Sequence, residues 1–77
     1  MKRVENFSWE VVKALGNFSE ERKNYTRELN LISWNDGAPK YDLRDWAPNH
    51  EKMGKGITLN GDEVQELYKL LAKIVEE

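Results

Sequence analysis

The sequence predicts an α+β domain: a four-stranded antiparallel sheet followed by one C-terminal helix, with residues 1–77 forming a single ββββα unit. Three observations carry this reading. Within PKYDLRDWAPNHEKMGKGITL, residues 39–59, Tyr41 and Leu43 fall on one face of a pleated strand while Lys40, Asp42, Arg44 and Trp46 fall on the other. Just before it, Asn35-Asp36-Gly37 supplies the positive-φ residues that a tight hairpin needs. From Asn60 onward the apolar spacing changes from period two to that of a helix.

In chain order, Phe7 to Leu15 mixes aromatic and β-branched residues and is expected to be the first strand. Its alternation is imperfect: Phe7, Trp9, Val11 and Leu15 share a face with Lys13, and Val12 opposes Val11, so a twist or bulge is expected within it. Gly16 to Asn24 gathers turn formers and charges and reads as an exposed loop. Tyr25 to Asn35 is the second strand, with Leu29 and Leu31 on one face and Asn30, Ile32 and Trp34 on the other. Pro39 suits the mouth of the third strand, and Ala47 to Glu51 the loop after it. Lys52 to Leu59 is the fourth strand, whose Gly54 and Gly56 flank Lys55 and make room for a close backbone, such as a phosphate chain, or mark a bulge, two readings that can hold together. Asn60 and Glu63 form a capping box, Leu59 and Val64 a hydrophobic staple, and the acids of the first turn suit the helix dipole.

The helix has more apolar surface than a sheet-covering stripe requires. Val64, Leu67, Tyr68, Leu70, Leu71, Ile74 and Val75 span an arc of about 160°, where roughly 100° would suffice. A chain of 77 residues also has little core, and below about 80 residues one core rarely supplies more than about 3 to 5 kcal/mol. Both point to a homodimer through the helices, with Leu67, Leu70, Leu71 and Ile74 at its seam.

There is no cysteine for a disulfide and one histidine, so no metal or other cofactor is expected, and a reducing, cytoplasmic setting fits. Met1-Lys2-Arg3 leads into Val4-Glu5-Asn6 and not into an apolar signal core, and no run is apolar enough to span a membrane. The formal charge of −2 is unevenly shared, since residues 60–77 hold five acids and two bases while residues 1–59 hold nine acids and ten bases. The acidity belongs to the helix, and the sheet can present a cationic face.

Lysine and arginine meet phosphate, and tryptophan stacks on a base, so a basic strand face ending in an exposed indole suits a single-stranded nucleic acid. Trp34 and Trp46 lie on adjacent strands and both face away from the leucines; Asp42 is read as orienting Arg44. Tyr41-Asp42-Leu43-Arg44-Asp45-Trp46, a Pro-containing loop, and Gly54-Lys55-Gly56-Ile57-Thr58-Leu59 running into a helix together resemble the single-stranded-DNA-binding domain of the transcriptional coactivator called positive cofactor four, and more closely its small bacterial relatives of the YdbC type. The resemblance spans about Tyr25 to Leu71. It implies two sheets joined by their helices into one curved surface that binds single-stranded DNA with little sequence specificity, in transcription, replication or repair. It also implies contacts from Lys13, Asn30, Trp34, Lys40, Arg44, Trp46, Lys52 and Lys55, although Gly54 stands where the family often has a base. Apart from the resemblance, His50 in the loop is a further candidate contact to a base or phosphate, although a lone loop histidine is more often a solvated side chain.

Two other readings use the same residues. Exposed tryptophans on a dimeric sheet could receive a peptide, and stacking with phosphate contact does not by itself distinguish RNA from DNA. An enzyme, and with it a small-molecule substrate, is not expected, because the sequence has no cysteine, no histidine-and-acid constellation, no Gly-rich phosphate loop before a helix and no carboxylate cluster on an apolar floor.

Overall fold

The computed structural model describes residues 7–18 and 24–76. Strands β1 (Trp9–Asn17), β2 (Thr26–Trp34), β3 (Lys40–Trp46) and β4 (Met53–Leu59) form one antiparallel sheet in the order β1-β2-β3-β4, and helix α1 (Gly61–Val75) follows. The predicted α+β architecture is the observed one. The first strand lies two residues later than expected at each end, and Phe18 N still donates to Arg27 O at 2.7 Å, so the loop begins later than Gly16. Residues 19–23 of that loop, and the Met1-Lys2-Arg3 lead, lie outside the described residues.

The imperfect alternation of the first strand has a structural cause. Register shifts between Val11 and Lys13 and between Ala14 and Gly16 insert Val12 and Leu15 as unpaired residues, and such bulges strengthen local twist. The backbone of Trp9 pairs with Trp34 at one end of the sheet, while Trp46 pairs with Thr26 at the other. The rings of Trp9 and Trp46 are nonetheless 4.8 Å apart, so the sheet is coiled enough to bring these diagonal corners together.

The β2–β3 connection follows its chemistry. Asn35 and Asp36 take φ of 51° and 63°, and Gly37 N donates to Trp34 O at 2.8 Å, the geometry of a two-residue hairpin whose twist matches the strands. Gly37 itself needs no positive φ. Asn35 also receives Ser8 N on its side-chain oxygen at 2.9 Å, tying the start of β1 to the turn.

The enclosed part of the sheet is not the leucine face. Ile32 and Asp42 have no exposure, and Asn30 and Trp46 have 1 %, and all four stand on the face that carries the tryptophans. The expectation that this face points away from the core is therefore corrected. Coiling closes the tryptophan face on itself, whereas Leu29, Leu31 and Leu43 on the opposite face are only half-buried.

Helix α1 begins as predicted: Asn60 Oδ1 accepts from Glu63 N at 2.8 Å and Glu63 Oε1 accepts from Asn60 N at 2.9 Å. None of its residues is buried, and Leu71 and Ile74 remain 46 % and 68 % exposed. Leu43, Ile57 and Leu59 of the sheet and Leu67 and Leu70 of the helix instead line an open apolar groove of about 550 Å³.

Gly54 and Gly56 serve the protein's own packing. A Cβ on Gly56 would sit 2.5 Å from Arg44 Cβ and 2.7 Å from Leu43 O, and one on Gly54 would sit 2.9 Å from Asp45 O. The close neighbour in the fold is strand β3, and the expected bulge is present, since the register shifts between Arg44 and Trp46. We predict that Gly56→Ala lowers the urea midpoint by an amount corresponding to about 1 to 3 kcal/mol, because the root of Arg44 cannot move without the strand. Gly61→Ala, whose Cβ meets nothing within 4 Å, should have a far smaller effect in the same measurement.

Candidate nucleic-acid interface

The candidate site is built on Asp42. Its carboxylate accepts a forked pair from Arg44, Nε to Oδ1 at 2.9 Å and Nη2 to Oδ2 at 2.8 Å, and Thr58 Oγ1 donates to Oδ2 at 3.0 Å from β4. A charge removed from water needs such compensation, and the two-pronged guanidinium geometry provides it. The remaining arm of Arg44, Nη1, donates to Gly54 O at 3.1 Å, and the guanidinium carbon lies 5.3 Å from the centre of the Trp34 ring. Asp42 orients Arg44 as its shared face suggested. Arg44 in turn is held over an indole, a cation–π contact.

Beside this clamp is a shallow cavity of about 490 Å³ lined by Phe7, Trp34, Lys40, Arg44, Met53 and Thr58. Phe7 and Trp34 stack at 6.1 Å with their planes 29° apart. Lys40 is exposed at the rim. Among the described residues no ion pair holds Lys40, Lys52 or Lys55, whereas Arg27 is committed to Asp45 at 2.8 Å. That hydrogen bond, and then the charge of Asp45, keep the Arg27 pKa above its ordinary value. The indole N–H groups of Trp34 and Trp46 are buried without an acceptor, an arrangement that costs free energy until an oxygen is supplied.

The structure brings Trp34, Lys40 and Arg44 together and separates them from other residues grouped with them by sequence. Trp46 is not the exposed indole expected: the Trp9 ring lies 4.8 Å away and the His50 ring 4.4 Å away, and its exposure is 1 %. Asn30 is on the same face but sealed, with Nδ2 donating to Glu28 Oε1 at 3.1 Å. Lys13 is displaced by the first bulge of β1 and pairs opposite Leu31, on the leucine face. His50 is half-buried, its Nε2 2.9 Å from Glu28 Oε1. Lys52 and Lys55 are exposed beside the β3–β4 loop and in β4, respectively.

Phe7, Glu28, Met53 and Thr58 were missed as site residues. Thr58 was within reach, since pairing β3 with β4 sets it opposite Asp42 on the polar face. Phe7 precedes β1, and its contact with Trp34 depends on the turn that ties Ser8 to Asn35.

Residues 22–70 match the family described as Transcriptional Coactivator p15 (PC4). The chain belongs to the p15 (PC4) coactivator family. The match contains every strand from β2 onward and most of α1, and so includes the Asp42 clamp, Trp34 and the β3–β4 loop. An uncharacterised protein of Treponema pallidum (strain Nichols) is 42% identical over 67 residues, which is 87% of this chain and 79% of that protein. A bacterial relative of this kind agrees with the small bacterial branch of the p15 (PC4) family to which the YDLRDW and GKGITL motifs pointed.

The clamp is the feature of this family member that stability measurements can isolate. Asp42→Asn keeps the volume but leaves the largely buried Arg44 guanidinium without its counter-charge. Breaking a buried pair from one side costs about 3 to 5 kcal/mol, so chemical denaturation should show a loss of that order. Replacing the exposed partner of the Lys69 and Glu66 pair, by Lys69→Ala, should change stability by less than about 1 kcal/mol.

Proposed function

We propose that this protein binds single-stranded DNA with little sequence specificity, as a homodimer joined through α1, and that it is a cytoplasmic binding protein and not an enzyme. Membership of a transcriptional coactivator family supports nucleic-acid binding in general. The observation that carries the single-strand reading is the cavity in which Phe7 and Trp34 stack beneath Arg44, with Lys40 at its rim. An unpaired base has an accessible flat face that an aromatic cavity can hold, and its phosphates can reach lysines at the edge. A duplex keeps its bases stacked inside. The process served would be transcription, replication or repair.

The dimer is supported by the unpartnered apolar surface of α1 and by the groove between it and the sheet. Leu67, Leu70, Leu71 and Ile74 of a second copy would remove that surface from water. No helix among the described residues is long and apolar enough to cross a membrane.

Titration with oligothymidine of about twenty residues, against duplex DNA of the same length, tests the function. Base stacking contributes about 1 to 3 kcal/mol whatever the base, so Trp34→Ala should weaken binding by about tenfold or more. Lys40→Ala should lower the slope of log K against log salt by roughly 0.7 if it neutralises one phosphate. Equal affinity for duplex and single strand would refute the proposal, and an oligouridine arm would reveal an RNA preference. Binding of peptide but no nucleic acid would identify an interaction module. Leu71→Glu should lower the mass in solution to that of a monomer, since an unpaired carboxylate would enter the interface, and it should abolish any rise of melting temperature with protein concentration.

A further inference from the structure

We propose that the 47–51 loop is a built-in cap on a second stacking platform: the His50 imidazole occupies, on Trp46, the place that a nucleobase takes when single-stranded nucleic acid binds. This inference rests on the single-stranded reading given above. It assigns Trp46 a role that its burial otherwise denies, and it makes His50 a competitor of the ligand instead of a contact to it.

Four observations converge on the cap. The imidazole lies 4.4 Å from the Trp46 ring at 31°, close enough to stacking for a flat heteroaromatic ring to take the place of another. It is latched from one side, where Nε2 is 2.9 Å from Glu28 Oε1. Asn49 and His50 are consecutive non-glycine residues with φ of 58° each; asparagine adopts this left-handed conformation readily, whereas at His50 its cost is offset by the contacts of the ring. Finally, the Trp46 N–H is buried with no acceptor, so the closed packing leaves its polar group unsatisfied.

The loop is also hinged so that it can open without disturbing the sheet. Ala47 N donates to Lys52 O at 3.0 Å and closes the stem next to the last residue of β3, while the contacts inside the loop, His50 N to Ala47 O at 2.9 Å and Glu51 N to Pro48 O at 3.2 Å, are local. Trp9 meets Trp46 at a 45° tilt from within β1 and stays in place when the loop moves. The displaceable cover is His50. Closed and open loops are then two states, and ligand affinity is reduced by the fraction of molecules in which the platform is uncovered.

The test uses His50→Asn, which tolerates a left-handed backbone but removes the ring, and Glu28→Ala, which keeps the ring but removes the oxygen that latches it and that also accepts from Asn30 Nδ2. In the first arm, with Trp9→Phe and Trp34→Phe leaving Trp46 as the sole indole, acrylamide quenching should rise on adding either change. In the second arm, in the chain with all three tryptophans, His50→Asn should bind oligothymidine about threefold to tenfold more tightly, with the slope of log K against log salt unchanged because no phosphate contact is added or lost. Glu28→Ala should act in the same direction. Quenching that does not rise overturns the cap whatever the DNA result. Quenching that rises while His50→Asn binds more weakly shows His50 to be a ligand contact and overturns the competition. Failure of the unsubstituted chain to bind any oligothymidine is a separate result, which removes the single-stranded reading and this inference with it. Should His50→Asn unfold the chain, as circular dichroism would show, Glu28→Ala decides both arms.

Discussion

A single carboxylate without solvent contact organises this molecule. Asp42 stands in the third strand on the enclosed face of the sheet, and its charge is tolerable there only because Arg44 and Thr58 surround it with donors. The consequences spread outward. The pairing bends Arg44 back along β3 toward Trp34, and the hydroxyl of Thr58 fastens β4 at the same level. Removing the carboxylate would leave the arginine without its main anchor, the indole without its cover and the aromatic cavity without a wall.

The same arrangement accounts for the asymmetry of the two faces. Coiling of the sheet, helped by the two bulges of β1, lets the tryptophan face bury Ile32, Trp46 and Asn30 among its own side chains. The leucine face curves the other way and receives little cover from α1, none of whose residues is buried. In this chain the polar and aromatic face is enclosed while the aliphatic face stays half-exposed. The proposed association through α1 would cover that aliphatic surface by contacts that are non-directional and roughly proportional to area.

Local chemistry made most of the architecture legible. The hairpin at Asn35-Asp36, the capping box at Asn60 and Glu63, and the period-two split of β3 each have a physical cause contained within a few residues, and each was found in the structure. The site was legible in part, because which residues share a face follows from parity, and parity correctly grouped Trp34, Lys40, Arg44 and Trp46. Exposure does not follow from parity. Whether an indole is open depends on what the rest of the chain lays over it, and Trp46 is covered by Trp9, remote from it in backbone pairing, and by His50, which the loop after β3 folds back onto it. Lys13 failed for a related reason: one inserted residue reverses the face of everything beyond it until the next bulge restores it, and sequence alone showed that a break was needed without showing where.

The contact between Gly56 and Arg44 has a bearing on how the sheet assembles. Strand β4 is an edge strand, and edge strands are prone to slide against their neighbours. A slip by one residue would carry Lys55 or Ile57 into a space that has no room for a Cβ beside Arg44. A slip by two would bring Gly54 across from Arg44, which sterics tolerate, but Gly56 would then face Asp42 and the Thr58 hydroxyl would be carried past it to Lys40. The two keys check different errors, one by shape and one by hydrogen bonding. Together they leave a single alignment in which the outermost strand can close, so this edge reaches its native pairing by rejecting its near neighbours and not merely by attraction to β3.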